Sequence, residues 1–203
     1  MNEDVFRLVL VRHGLTDWNV ERRLLGRVDV GLNPEGRAQA LAAADALKPF
    51  PVQAIVSSPQ VRARETAAPI AAAHGLEVET EPDFDEVWLS EEWQGKTVEE
   101  LRDDAEMERF LSDPSRRTPR IEPIEDVQRR VVGAVERLRR ERPGETVVVV
   151  SHGDPLRAVA AYYLGLALAD FRRLLIDNGS VSLLRFNPRG PQLTTLNWRP
   201  SLR

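Results

Sequence analysis

Two short aliphatic segments of the chain end in the same dipeptide. One is 7–14, Arg-Leu-Val-Leu-Val-Arg-His-Gly, and the other is 146–153, Thr-Val-Val-Val-Val-Ser-His-Gly. Continuous apolar runs of this length, bounded by turn residues, are typical of strands that are buried on both faces, as in a parallel sheet. A third run, 52–56, is followed by Ser-Ser-Pro. We therefore expect a central sheet that is covered on both sides.

Helical patterns lie between these runs. The apolar residues of 124–138 recur at three- and four-residue steps, which predicts an amphipathic helix. Its opposite face is interpreted as a solvated surface and carries the arginines Arg129, Arg130, Arg137, Arg139 and Arg140. Local start and stop signals predict further helices over about 34–48, 59–74 and 153–164. Additional strands are predicted over about 76–80, 180–186 and 193–198.

The alternation of strands and helices predicts an α/β fold, a three-layer α-β-α sandwich with a mostly parallel central sheet. The 203 residues suit a single domain, 1–203, that is large enough to bury a core. Between about 84 and 120 the pattern becomes polar and irregular, around one helix expected from Thr97. We interpret this stretch as a small lid insertion.

The composition argues against several classes of function. The net charge of −4 gives no basic footprint for a nucleic acid or a membrane surface, so neither is expected as a partner. The chain has no cysteine, which excludes disulfides, thiolate catalysis and cysteine-based metal sites. No apolar segment approaches the roughly 18 residues of a membrane helix, and the acidic start is unlike a signal peptide. We expect a cytoplasmic enzyme.

Polar residues with phosphate-binding chemistry follow the predicted strands. In open α/β sheets, ligands bind beyond the carboxyl ends of the strands, and His13 and His152 both fall at that edge. Either histidine alone is as readily explained by a structural role, but Arg12 stands beside His13. Arg62 falls in the first turn of the helix expected after 59, near an N-terminus that favours anions. The planar guanidinium of arginine can bind two phosphoryl oxygens at once. The sequence therefore predicts a phosphate site.

The residues around the first histidine resemble a family signature. Residues 12–19, Arg-His-Gly-Leu-Thr-Asp-Trp-Asn, are similar to the motif of the histidine phosphatase superfamily, the phosphoglycerate mutase-like enzymes. The resemblance runs from about residue 6 to residue 187, and the further matching segments are 24–29, 32–40, 57–67, 151–153 and 177–180. The Tyr- and Arg-rich insertion of the cofactor-dependent mutases looks absent, because the lid region has no tyrosine. The phosphatase branch is therefore favoured.

The resemblance implies a covalent mechanism. His13 would attack phosphorus and carry the phosphoryl group as a phosphohistidine, which water then hydrolyses. Cationic side chains would stabilise the transferring group, so no metal and no cofactor are expected. The residues implied to bind the phosphoryl group are Arg12, Arg62, His152, Asn19 and Gly153.

The leaving alcohol also needs a proton, and the resemblance implies a glutamate after the third strand. Glu86 fits this position and is predicted to act as general acid and then as general base. The run that follows, 87–95, is one residue longer than the family pattern. Asp85 and Glu91 therefore remain alternatives, and Glu86 as a solvated loop carboxylate is a further one.

The expected function is hydrolysis of a phosphomonoester on a small phosphorylated metabolite. Within the family, the alternative is a phosphoglycerate mutase, because mutases and phosphatases share the core. Outside it, the alternative is an inactive phosphate-binding module. The oligomeric state is not encoded in any pattern, and a homodimer stays open.

Overall fold

The computed structural model describes residues 5–202, which form a six-stranded sheet flanked by helices. The strands are β1 (Phe6–Arg12), β2 (Val52–Ser57), β3 (Val78–Thr80), β4 (Thr146–Ser151), β5 (Val181–Asn187) and β6 (Gly190–Trp198). Their order in the sheet is β3-β2-β4-β1-β5-β6. The first four strands in this order pair with one another in parallel, and β5 is antiparallel to both of its neighbours, β1 and β6. The predicted mostly parallel sheet is confirmed.

Helices cover both faces of this sheet. They are α1 (Asp17–Val20), α2 (Pro34–Leu47), α3 (Val61–His74), α4 (Ala105–Ser112), α5 (Ile124–Glu141) and α6 (Gly153–Leu164). Successive residues of a strand point to opposite faces. Leu8 and Leu10 of β1 accordingly join the core with α5 and α6, whereas Val9 and Val11 join the core with α2 and α3. The two cores make the three-layer sandwich that the buried aliphatic runs predicted.

The prediction of a helix that begins at Thr97 is wrong. Thr97 and Glu100 do form reciprocal capping hydrogen bonds, with N···O distances of 2.7 and 3.1 Å, but only turns follow. The helix of this segment is α4, which begins at Ala105 because the Asp104 side chain accepts hydrogen bonds from the next amides, those of Glu106 and Met107. The capping motif of Thr97 and Glu100 therefore forms a single turn, and Asp104 caps the helix that follows.

Other element bounds differ from the sequence predictions by a few residues. α3 begins at Val61, with Gln60 as its N-cap, and Pro59 lies before it. Short 3-10 helices that were not expected span Pro82–Phe84 and Leu168–Arg173. Among the described residues, no helix combines the length and the apolar character that a bilayer-spanning segment requires.

The loop after β1 is packed against the start of α2 through two glycines. A Cβ atom on Gly14 would lie 2.3 Å from the carbonyl oxygen of Gly36, and a Cβ atom on Gly36 would lie 2.0 Å from that of Leu15. The same Leu15 carbonyl accepts a hydrogen bond of 2.9 Å from the amide of Asn33. This close approach fixes the loop that follows His13.

The close approach predicts a stability effect opposite to helix propensity. In α2, Gly36→Ala should lower the free energy of unfolding by about 2 kcal/mol or more, because the methyl group meets backbone that has no room to move. Gly133→Ala in α5 is the matched control, since a Cβ there meets only a side-chain nitrogen at 3.8 Å. It should be neutral or stabilising by up to about 1 kcal/mol. Urea unfolding of both variants checks this, and equal effects would contradict it.

Candidate active site

The pairing of β1 with β4 brings two imidazoles side by side. Arg12 is opposite Ser151 in the parallel register, so the next residue of each strand is a histidine. The His13 amide donates to the Ser151 carbonyl at 2.9 Å. The ring centroids of His13 and His152 are 5.1 Å apart with planes inclined by 58°, and both rings are buried. Two residues that are 139 positions apart therefore share one site.

The surroundings of His13 define which ring nitrogen is available. Nδ1 lies 2.7 Å from the Gly14 carbonyl oxygen, which only accepts, so Nδ1 carries the hydrogen and Nε2 keeps its lone pair. Asn178 donates its side-chain amide to the His13 carbonyl at 3.1 Å and supports the loop. Burial, and then the charges of Arg62 and Arg12, hold the His13 pKa well below its usual range. The ring is therefore neutral at pH 7.

His152 is held by a chain of polar groups. Arg62 donates its Nε–H to His152 Nδ1 at 3.2 Å, so the ring hydrogen is on Nε2, 2.8 Å from Ser58 Oγ. Ser58 in turn donates to Asp85 Oδ1 at 2.9 Å. Burial, and then the charge of Arg62, hold the His152 pKa well below its usual range. Both ring nitrogens are thus engaged by protein groups.

Two arginines stand beside the histidines. Arg62 is fully buried and also donates to the carbonyls of Val28 and Gly26, at 2.8 and 2.9 Å. Burial lowers the Arg62 pKa to about 10, so the guanidinium stays charged at neutral pH. Arg12 donates Nη1 to the Ile176 carbonyl at 2.7 Å, while its Nε is buried without a partner among the described residues. An unpartnered guanidinium donor is a binding group for an anion.

A cavity of about 290 Å³ opens at this edge of the sheet. Its polar lining includes five of the residues singled out in the sequence, Arg12, His13, Asn19, Glu86 and Gly153. The side-chain oxygen of Asn19 accepts hydrogen bonds from the Thr16 amide at 3.1 Å and from the Asn178 side chain at 3.2 Å. Its NH₂ group is therefore the part that can donate to a ligand. Arg62 and His152 are completely buried and lie outside this lining.

Glu86 alone of the three candidate carboxylates lines the cavity. Enclosure in the protein, and then the charge of Asp154, raise the pKa of Glu86 to about 7. Asp85 is instead bound to Ser58, and Glu91 is exposed in the lid segment. The structure therefore favours Glu86 over the two alternatives.

Sequence reasoning missed two groups that hold these residues in place. Asn178 lies in the turn 177–180, which the family pattern contains but to which no role was given. Arg130 was interpreted as part of a solvated helix face, and this is wrong. Its side chain is only 15% exposed and donates to the carbonyls of Asp83 and Asp85 at 2.6 and 2.7 Å, while it pairs with Glu122 at 2.9 Å. Arg130 thus fixes the loop that carries Glu86.

A metal ion is not needed to explain this arrangement. Among residues 5–202, no three His, Asp or Glu side chains are grouped in a way that would hold a metal ion. Metal independence itself stays a prediction.

Comparison with known proteins identifies the family. The model of the histidine phosphatase superfamily (branch 1) matches residues 8–199. The chain is 34% identical over 194 residues to "Phosphoserine phosphatase 1" of Hydrogenobacter thermophilus, covering 94% of this chain and 92% of that protein. It is 32% identical over 180 residues to "Probable phosphoglycerate mutase GpmB" of Cronobacter sakazakii, covering 88% and 84%. The chain belongs to the histidine phosphatase superfamily.

A solved structure agrees with this assignment. The mycobacterial glucosyl-3-phosphoglycerate phosphatase Rv2419c, in complex with VO3, superimposes with a TM-score of 0.86 at 32% identity. The match covers 96% of this chain and 99% of that one. The prediction of a phosphatase enzyme from this superfamily is confirmed.

The polar contacts of Arg130 predict a large difference between two neighbouring arginines of α5. Arg130→Met should lower the free energy of unfolding by about 2–4 kcal/mol, because two carbonyls and Glu122 lose a buried donor. Arg129→Met is the matched control, since that side chain is 66% exposed, and its effect should stay within about 0.5 kcal/mol. Urea unfolding of both variants measures this, and equal losses would show that the Arg130 contacts carry no stability.

Proposed function

We propose that this enzyme hydrolyses phosphomonoesters through a phosphohistidine formed on His13. The observation that carries the proposal is geometric: His13, whose Nδ1 is bound to the Gly14 carbonyl, lines one cavity together with Arg12 and Glu86. Burial, and then the charges of Arg62 and Arg12, lower the His13 pKa and so favour the neutral ring. A neutral imidazole beside guanidinium groups is a nucleophile placed where a phosphate dianion would bind.

In the first step, His13 Nε2 forms a bond to phosphorus while the bond from phosphorus to the ester oxygen breaks. The electron pair of that bond leaves with the alcohol oxygen, which takes a proton from the Glu86 carboxyl group. Arg12, which lines the cavity, and the buried charge of Arg62 offset the charge on the other phosphoryl oxygens. Asn19 contributes its amide hydrogens at the edge of the site.

In the second step, the Glu86 carboxylate accepts a proton from water, and the water oxygen attacks phosphorus. The bond from phosphorus to Nε2 breaks, its electron pair returns to His13, and inorganic phosphate leaves. A carboxyl group with a pKa of about 7 exists in both protonation states near neutral pH, so one residue serves both steps.

His152 acts in this scheme through Arg62. Its Nδ1 accepts the Arg62 Nε–H bond and its Nε2 is bound to Ser58, so the ring orients the guanidinium. The direct contact with phosphoryl oxygens that the family resemblance implied would require His152 to give up its bond to Ser58.

The size of the cavity and the names of the relatives support a small phosphorylated metabolite as substrate. A volume of about 290 Å³ suits a small molecule. Hydrolysis is favoured over phosphoryl return to a sugar acid, because the chain's two tyrosines, Tyr162 and Tyr163, lie on α6 and outside the lining of the cavity. A binding module without turnover is disfavoured, since nucleophile, arginines and acid are all present.

Trapping the intermediate tests the proposal. Wild-type protein incubated with a ³²P-labelled phosphoester and quenched in base should carry acid-labile label, and His13→Ala should carry none. Free phosphate should form with excess chelator present. Isomerisation of 3-phosphoglycerate in the presence of its bisphosphate, without phosphate release, would establish the mutase instead. Absence of label and of phosphate from wild type would leave only the binding module.

Removing the proton donor predicts an effect that depends on the leaving group. Glu86→Gln should lower kcat/KM for alkyl phosphates about 10²- to 10⁴-fold, since the alkoxide then leaves without a proton. For 2,4-dinitrophenyl phosphate kcat/KM should change little, whereas kcat should fall because water still needs a base. Glu91→Gln is the control and should match wild type. Full activity of Glu86→Gln on alkyl phosphates would remove Glu86 from the mechanism.

The same residue predicts the alkaline side of the pH profile. The acid must be protonated in the first step, and its pKa is raised to about 7, so kcat/KM for alkyl phosphates should fall above about pH 7. His13 must be neutral, and its lowered pKa keeps it so well below pH 6.5. In Glu86→Gln the alkaline decline should disappear.

A further inference from the structure

The lining of the cavity next to His13 has two chemically different parts. The polar part holds the residues already described. The apolar part is formed by side chains of the lid segment and by Ile121, which follows it, and we name it the apolar lobe: Leu89, Trp93, Met107, Phe110, Leu111 and Ile121. All but Leu111 are at least nine-tenths buried. Both parts line the same cavity.

The apolar lobe offers little to a polar leaving group. The indole N–H of Trp93 already donates to Asp104 Oδ2 at 2.9 Å, so this residue presents only its hydrocarbon surface. The remaining walls are aliphatic, thioether or phenyl groups. A charged group placed among them would lose its water without gaining a partner, which is unfavourable by several kcal/mol in apolar surroundings.

Three further arginines, Arg23, Arg157 and Arg172, also line the cavity, and each is engaged with other protein groups. Arg157 pairs with Asp154 at 2.8 Å, and Arg23 pairs with Glu21 at 2.6 Å. Arg172 lies against the Phe110 ring, 4.0 Å from its centroid, and donates to the carbonyl oxygens of Phe110 and Leu111 at 3.0 and 3.3 Å. These contacts hold the wall of the cavity together.

We propose that this enzyme selects phosphomonoesters whose leaving alcohol carries a bulky apolar group, aryl or branched alkyl, over esters whose alcohol carries charged groups. The proposal rests on the proposed function, and it adds the substrate class. The proposed preference differs from the substrates that the relatives' names give, because a serine or glycerate leaving group bears a carboxylate that the apolar lobe would have to desolvate. Removal of apolar surface from water is the source of the selectivity.

Four alkyl esters test the selectivity: 3-phenylpropyl phosphate, ethyl phosphate, phosphoserine and 3-phosphoglycerate. With purified full-length protein, kcat/KM for the phenylpropyl ester should exceed that for the ethyl ester by roughly 10- to 100-fold, as burial of a phenyl-sized surface predicts. Phosphoserine and 3-phosphoglycerate should be poorer than ethyl phosphate. Equal or higher kcat/KM for either acidic ester would overturn the proposal.

A rim residue of the apolar lobe provides the matched variant. Leu111 is 48% exposed, so Leu111→Asn is compatible with folding, and the ratio of kcat/KM between the phenylpropyl and ethyl esters should fall several-fold. Leu41 is 60% exposed on α2, outside the lining of this cavity, and Leu41→Asn should keep the wild-type ratio. An unchanged ratio in Leu111→Asn would contradict the role of the lobe.

Failure of the selectivity and failure of the proposed function give different results. If wild type hydrolyses none of the esters, and p-nitrophenyl phosphate is also untouched, the hydrolytic function is wrong. If p-nitrophenyl phosphate is hydrolysed in a His13-dependent way and no apolar preference exists, the enzyme stands and only the substrate class is refuted.

Discussion

The parallel register between β1 and β4 is the constraint on which the site depends. It sets Arg12 opposite Ser151, so that the first residues beyond the strands, His13 and His152, face each other. Both strands are buried on both faces, and a slip of one residue would turn every side chain of the strand into the wrong core. The packing of the two cores therefore holds the register, and the register places the two imidazoles. Stability and chemical geometry here have one cause.

The electrostatic properties of the site follow from the position of Arg12 and Arg62 next to the buried, neutral rings of His13 and His152. Burial and the arginines keep His13 unprotonated, and the buried Arg12 Nε has no partner within residues 5–202. An unsatisfied buried donor costs about 1–3 kcal/mol, and a phosphoryl oxygen would regain it. Asp154 has the opposite influence on Glu86, because its charge helps to keep that carboxyl protonated near neutral pH. Burial, and then the charges of Arg62 and Arg12, lower the His13 pKa, whereas burial, and then the charge of Asp154, raise the Glu86 pKa.

Sequence patterns predicted local secondary structure and missed contacts that depend on the tertiary fold. The aliphatic runs ending in His-Gly predicted both the sheet and its functional edge, because strand burial and strand ends are visible along the chain. Arg129 and Arg130 are adjacent on the polar face of α5, and no periodicity distinguishes them. Only the crossing of the Glu86 loop over α5 makes one exposed and the other buried. The partners of His152 and the start of α4 at Asp104 likewise depend on contacts that the sequence does not display.

In the proposed mechanism, the residues that act on phosphorus and those that contact the leaving alcohol come from different parts of the fold. The residues proposed to act on phosphorus lie at the ends of β1 and β4 and in the first turn of α3, next to the sheet. The residues proposed to contact the leaving alcohol belong to the lid segment, where Trp93, Met107 and Phe110 both pack in the core and line the cavity. A change in the lid alters the shape and polarity around the alcohol without moving His13. Because the same lid side chains are buried, a shift in selectivity also has to preserve their packing, which limits the substitutions that the lid accepts.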